Sequence, residues 1–213
     1  MTEVEWLTAI DPIPMLEFLK GKTSDRKLRL LGIALARASW SRLEDERSRR
    51  AIEAAERFAD GMIDATAMEP VVDGAWDVRD ELWDAGPESH DDRLWLAEAA
   101  ALTASIYEWS ITFDRPGSQA ADYPFWPISP THCELIRDIF GNPFRPIAVD
   151  PSWLSSAAIA HGIYDDKAFD RLAILADALQ DAGCENADIL SHCRSDGPHV
   201  RGCWVVDLVL GKE

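Results

Sequence analysis

Basic side chains are scarce in this chain of 213 residues, where 21 Lys and Arg stand against 38 Asp and Glu, for a net charge of −17. Affinity for DNA or RNA comes largely from Lys and Arg displacing counterions from phosphates, so ordinary nucleic-acid binding is not expected. The imbalance is local: residues 1–60 carry 11 basic and 11 acidic side chains, whereas residues 61–213 carry 10 and 27. Such a surface suits a basic protein partner, or an imitation of DNA, or simply keeps the protein in solution. No run reaches the roughly 18 uncharged apolar residues that a membrane-spanning helix needs, so no membrane association is expected. The opening Met1-Thr2-Glu3-Val4-Glu5 is acidic where a secretory signal is basic, which points to the cytoplasm. Cysteine is also sparse. The four, Cys133, Cys184, Cys193 and Cys203, include no C-x-x-C pair and are read as reduced thiols. Phosphate-binding glycine loops, H-E-x-x-H, G-x-S-x-G and dinucleotide fingerprints are missing, which closes the common motif routes to an enzyme.

What the chain does have is core material and helix punctuation. Apolar residues make up 47% of it and there are nine tryptophans, enough large rings to build a substantial core. Thr2-x-x-Glu5 reads as a capping box, Asp11-Pro12 and Asp150-Pro151 as N-caps followed by proline, and Ser24 and Asn186 as further caps. Helical spacing is expected over Arg26 to Leu43, Asp45 to Asp60, Thr66-capped Ala67 to Ala85, Asp91 to Ile111, Pro130 to Phe140, Lys167 to Ala182 and from Pro198 to Gly211. Phe144 to Val149 reads as a lone extended stretch. The fold expected is all-α: a compact bundle of about nine or ten helices in a single domain, with sub-lobes 1–111 and 130–213 joined by a loop over 112–129. That loop is too rich in proline for helix, and Asp122-Tyr123-Pro124-Phe125-Trp126-Pro127 within it offers Tyr123, Phe125 and Trp126 as anchors for a partner.

The densest set of metal-ligating side chains is Cys184, His192, Cys193, His199 and Cys203. On a helix starting at Pro198, His199 and Cys203 would share a face, as paired zinc ligands do. The spacing matches none of the strong zinc patterns, so the group is expected to pack, with no metal and no cofactor assigned. His132-Cys133-Glu134 holds the H-x-E half of a zinc deaminase signature without the P-C-x-x-C half, so no catalytic residue is assigned there. Paired acids Asp91-Asp92 and Asp165-Asp166 fall where helices begin or turn, where the helix dipole favours them.

Several stretches, Glu5-Trp6-Leu7 with Asp11-Pro12-x-Pro14-Met15-Leu16-Glu17-Phe18-Leu19, Asp45 to Ala51, Phe140-Gly141-Asn142-Pro143-Phe144-Arg145-Pro146 and Gly197-Pro198-His199-Val200-Arg201-Gly202-Cys203-Trp204, together resemble a bacterial paralogous family without an assigned activity. The resemblance implies a shared helical fold and carries over no catalytic residue. The functional expectation is a non-catalytic acidic helical protein acting through protein contact, as an adaptor, regulatory or immunity-type partner of a basic protein. The alternative is a metal-binding helical protein or hydrolase that uses the C-terminal Cys and His group.

Overall fold

The chain enters its first helix through a reciprocal cap. Thr2 Oγ1 accepts the N–H of Glu5 at 3.3 Å, and the Glu5 carboxylate accepts the N–H of Thr2 at 2.6 Å, which closes the expected capping box. The computed structural model describes residues 1–86, 92–105 and 130–212, and among these it holds eleven α-helices and no strand. They are α1 (Glu3–Thr8), α2 (Ile13–Leu19), α3 (Asp25–Ala38), α4 (Glu46–Ala59), α5 (Ala65–Asp84), α6 (Asp92–Ala104), α7 (Pro130–Phe140), α8 (Ala157–Asp165), α9 (Leu172–Asp181), α10 (Ala187–Cys193) and α11 (Trp204–Leu210). Short 3₁₀ turns lie at Trp40–Arg42, Pro151–Ser156 and Phe169–Arg171. The all-α class expected from the periodicity is the one the chain adopts. Among the described residues no helix is long and apolar enough to cross a membrane.

The chain divides into two compact units: Met1–Phe18 with Pro130–Glu213, and Leu19–Ser129. The first 18 residues thus belong with the C-terminal segment and not with the helices that follow them. The reason lies in contacts more than a hundred residues apart. Trp6, fully buried, donates its indole N–H to the Gly141 carbonyl at 3.0 Å. Arg137 of α7 donates to the carbonyls of Trp6 and Ala9 at 3.0 and 2.6 Å, which satisfies acceptors that the end of α1 leaves open. Phe18 stacks on Phe144 with ring centroids 5.0 Å apart. The remainder of this unit packs α8 to α11 around Tyr164, Leu172, Leu175, Leu179, Ile189, Val205 and Val209, all buried.

The second unit is built from α3 to α6 around Leu30, Ile33, Ile52, Ala55, Met68, Ala75, Leu96 and Ala100. Small residues along α6 let the helices approach closely. Two charged residues are buried here. Arg29 is 5% exposed and donates to the Ser105 carbonyl at 3.0 Å, while Glu56, 6% exposed, receives a bidentate pair from Arg37 at 2.9 and 3.0 Å.

Several boundaries differ from the sequence expectation, each for a local reason. The helix expected to run to Leu43 ends at Ala38, because Ser39 turns the backbone so that Trp40 meets the Arg37 guanidinium at 3.9 Å. The cap of α5 is Asp64, whose carboxylate accepts the Ala67 N–H at 2.9 Å, and not Thr66. The helix expected from Lys167 starts at Leu172, since Lys167 sits at φ 54° and closes α8 as a left-handed stop, with the Ala168 N–H bonded to the Ile163 carbonyl at 2.9 Å. Phe144 to Val149 forms no strand: its start is a turn, in which the Asn142 side chain accepts the Phe144 N–H at 3.0 Å, and no strand lies among the described residues. The last helix begins at Trp204 and not at Pro198, because Gly202 at φ 97° interrupts any helix through that segment. The aromatic stretch with Tyr123, Phe125 and Trp126, and the end of the helix expected to reach Ile111, lie outside the described residues.

Candidate metal centre

Asp138 lies in the last turn of α7, where the partial negative charge of the helix end disfavours a carboxylate. It is 2% exposed, so it survives there only with compensation. His199 Nδ1 supplies it at 2.8 Å and His192 Nε2 at 3.2 Å, both on Oδ1, while the Val200 N–H donates to Oδ2 at 2.9 Å. Burial by itself would raise this carboxyl, but the bonds from the two imidazoles and the Val200 amide hold it below the usual carboxylate value. His199 shows the reverse: burial opposes its charge, yet the Asp138 carboxylate and the Ser195 carbonyl, 3.2 Å from Nε2, leave its pKa above the ordinary imidazole value.

Three chain segments bring these groups together. Asn186 caps α10 by accepting the N–H groups of Asp188 and Ile189, and the helix carries His192 in its last turn. The chain then runs irregularly through residues 194–203 and places His199 beside Asp138 and Cys203 at the start of α11. Cys203 is fully buried, with its sulfur 3.2 Å from His192 Nε2. Burial, and then the charge of Asp138, push its thiol well above the ordinary cysteine value. The rings of His192 and His199 meet edge to face at 4.9 Å, and Trp204 lies 5.3 Å from His192. One donor atom from each of Asp138, His192, His199 and Cys203 falls within 4.8 Å of every other.

That spacing suits a small tetrahedral ion. With metal–ligand bonds of about 2.0 to 2.3 Å, tetrahedral donors stand roughly 3.3 to 3.8 Å apart, so these side chains need shifts of a few tenths of an ångström to about one ångström. Ionised Asp138 and Cys203 would together match the charge of a divalent cation. Ser195 Oγ lies 3.4 Å from His199 Nε2 and donates to the His192 carbonyl at 2.8 Å, and Nε2 also faces the Ser195 carbonyl.

Of the residues singled out in the sequence, His192, His199 and Cys203 converge, though through an irregular segment and not along one helix face. Cys184 and Cys193 do not join them; both pack in the apolar core, and burial pushes the Cys193 thiol up to about 12. The H-x-E group does not assemble either: on α7, Cys133 is buried with its thiol raised by burial, Glu134 points outward, and burial lowers the half-buried His132. Asp138 is the member that sequence reasoning missed. Its signature was present, an acid flanked by Leu135, Ile136 and Ile139 at a helix end where a basic residue belongs. No protein-family model, curated protein or solved structure matches the chain.

Proposed function

We propose that this is a metal-binding helical protein whose donors are Asp138, His192, His199 and Cys203. One observation carries the reading: four donor groups of three chemical kinds, drawn from separate segments, lie within 4.8 Å of one another at a mostly buried position. In the metal-free chain the two imidazoles and the Val200 N–H compensate the buried Asp138, and an ion would replace the imidazole bonds with bonds to all four donors. Metal analysis of the full chain, purified without chelator and dialysed against zinc, tests it. About one equivalent of zinc is expected, falling to a small fraction in Asp138→Ala. Zinc-free protein after dialysis would overturn the reading.

A second reading, contact with a protein partner, draws on the acidic net charge and on Val4 and Leu7, which are 71% and 50% exposed one helical turn apart on α1. It is compatible with metal binding, since an ion that stabilises one unit leaves its exterior free for a partner. Capture from cell extract with and without Leu7→Ser tests it; identical captured sets would remove α1 as a contact.

A further inference from the structure

The donor set and the groups behind it say which ion and what it does there, given that the metal reading holds. We infer that the site takes a zinc-class ion in a closed tetrahedron of four protein donors, and that the ion clasps residues 194–203 onto α7 as a structural element.

Three features carry this. The donor atoms are one oxygen, two imidazole nitrogens and one sulfur, which suits zinc or cobalt and not magnesium or calcium, ions that require six or more oxygens. Two of the donors are already oriented by a second contact: Asp138 Oδ2 is held by the Val200 N–H at 2.9 Å, which leaves Oδ1 as the single ligating oxygen. His199 Nε2 is held at the Ser195 carbonyl at 3.2 Å, which aims Nδ1 at the cluster. Outer contacts of this kind fix ligand orientation in metal sites. Finally, four protein donors are enough to complete a tetrahedron, with Asp138 and Cys203 2% and 0% exposed and the His192 and His199 side chains 17% and 9%, so the ion needs no water as a ligand. A closed site is a fastener. Its ligands join α7 to the end of α10 and to the middle and C-terminal end of the irregular segment, whose residues 194–201 are exposed or half-buried and so supply little apolar burial to order it.

The ion therefore also shapes the open cleft of about 400 Å³ that lies between residues 194–199 and the turn at Phe169–Arg171, because His199 belongs to both.

Cobalt titration of the chelator-stripped full chain tests the inference. Expected are visible d–d bands of tetrahedral intensity together with a sulfur-to-cobalt charge-transfer band in the near ultraviolet. Cys203→Ser should lose the charge-transfer band, and Cys193→Ser, altering a neighbouring buried thiol, should keep it. Weak octahedral bands would overturn the closed tetrahedron while leaving metal binding intact, and absence of any bound cobalt or zinc would instead sink the metal reading itself. Should Cys203→Ser fail to fold, amide exchange on the wild-type chain decides the clasp. Zinc should slow exchange across residues 194–203 by about tenfold or more relative to the stripped protein. Equal exchange with and without zinc would overturn it.

Discussion

Gly141 and Trp204 approach so closely that a Cβ placed on the glycine would meet the indole Cγ and Cδ2 at 3.1 Å. Gly141 also sits at φ 63° at the end of α7 and offers its carbonyl to Trp6. One residue thus ties α1 to α7 and holds Trp204 beside His192, three residues beyond Asp138.

From this, Gly141→Ala should destabilise the protein by about 1 to 3 kcal/mol, the sum of left-handed backbone strain and overpacking against a ring. Gly183 has φ 89° and no heavy atom near its would-be Cβ, so Gly183→Ala should cost only the backbone part, about 1 kcal/mol. Urea unfolding of both variants checks the difference. Equal losses would mean that the Trp204 contact is slack.

Removal of Asp138 in the metal-free chain strands two imidazoles and the Val200 N–H in a nearly closed space. Asp138→Ala should cost about 3 kcal/mol in urea melts run with chelator. The pH dependence should change with it. The lowered Asp138 carboxyl contributes stability that is present above about pH 4 and lost as pH falls through its folded value. The raised His199 contributes stability that is present below about pH 6.5 and lost as pH rises through its folded value. Metal-free wild type should therefore be most stable between those limits, and Asp138→Ala should show a flatter profile. An unchanged profile would remove the pair as its source.

All four cysteines are free and buried, and burial raises the thiols of Cys133, Cys193 and Cys203. A thiol reagent at pH 8 should label the folded protein slowly and reach four groups only on denaturation. Fast labelling of one thiol in the native chain would contradict the buried placement.

In the other unit, Arg37→Ala leaves Glu56 nearly buried without its bidentate partner, and a loss of about 2 kcal/mol is expected. Arg37→Lys should recover little, because a lysine makes neither the paired bond nor the flat contact with Trp40 at 3.9 Å. Full recovery by lysine would show that charge alone matters there.

Helices were legible because their causes are short-range. Thr2, Ser24, Asp45, Asp150 and Asn186 each cap a backbone N–H two or three residues away, and Gly61, Gly183 and Gly211 each adopt the left-handed stop. Where a boundary moved, a non-local demand or an unexpected stop intervened, as at Lys167 and Gly202. The candidate site was half legible: His192, His199 and Cys203 stood out by residue type, but the supposed face of one helix was wrong and Asp138 was not seen.

By itself, the sequence determined an all-α protein with marked helix ends, an excess of acid after residue 60 and an apolar core, because propensity, capping and periodicity act within a few residues. Only the tertiary structure decided that the first 18 residues join the C-terminal unit, that Arg29 and Glu56 are interior, and that Asp138 faces His199 across 61 residues of chain. Those outcomes depend on which distant surface a side chain meets, and helical periodicity carries no information about a partner more than a few turns away.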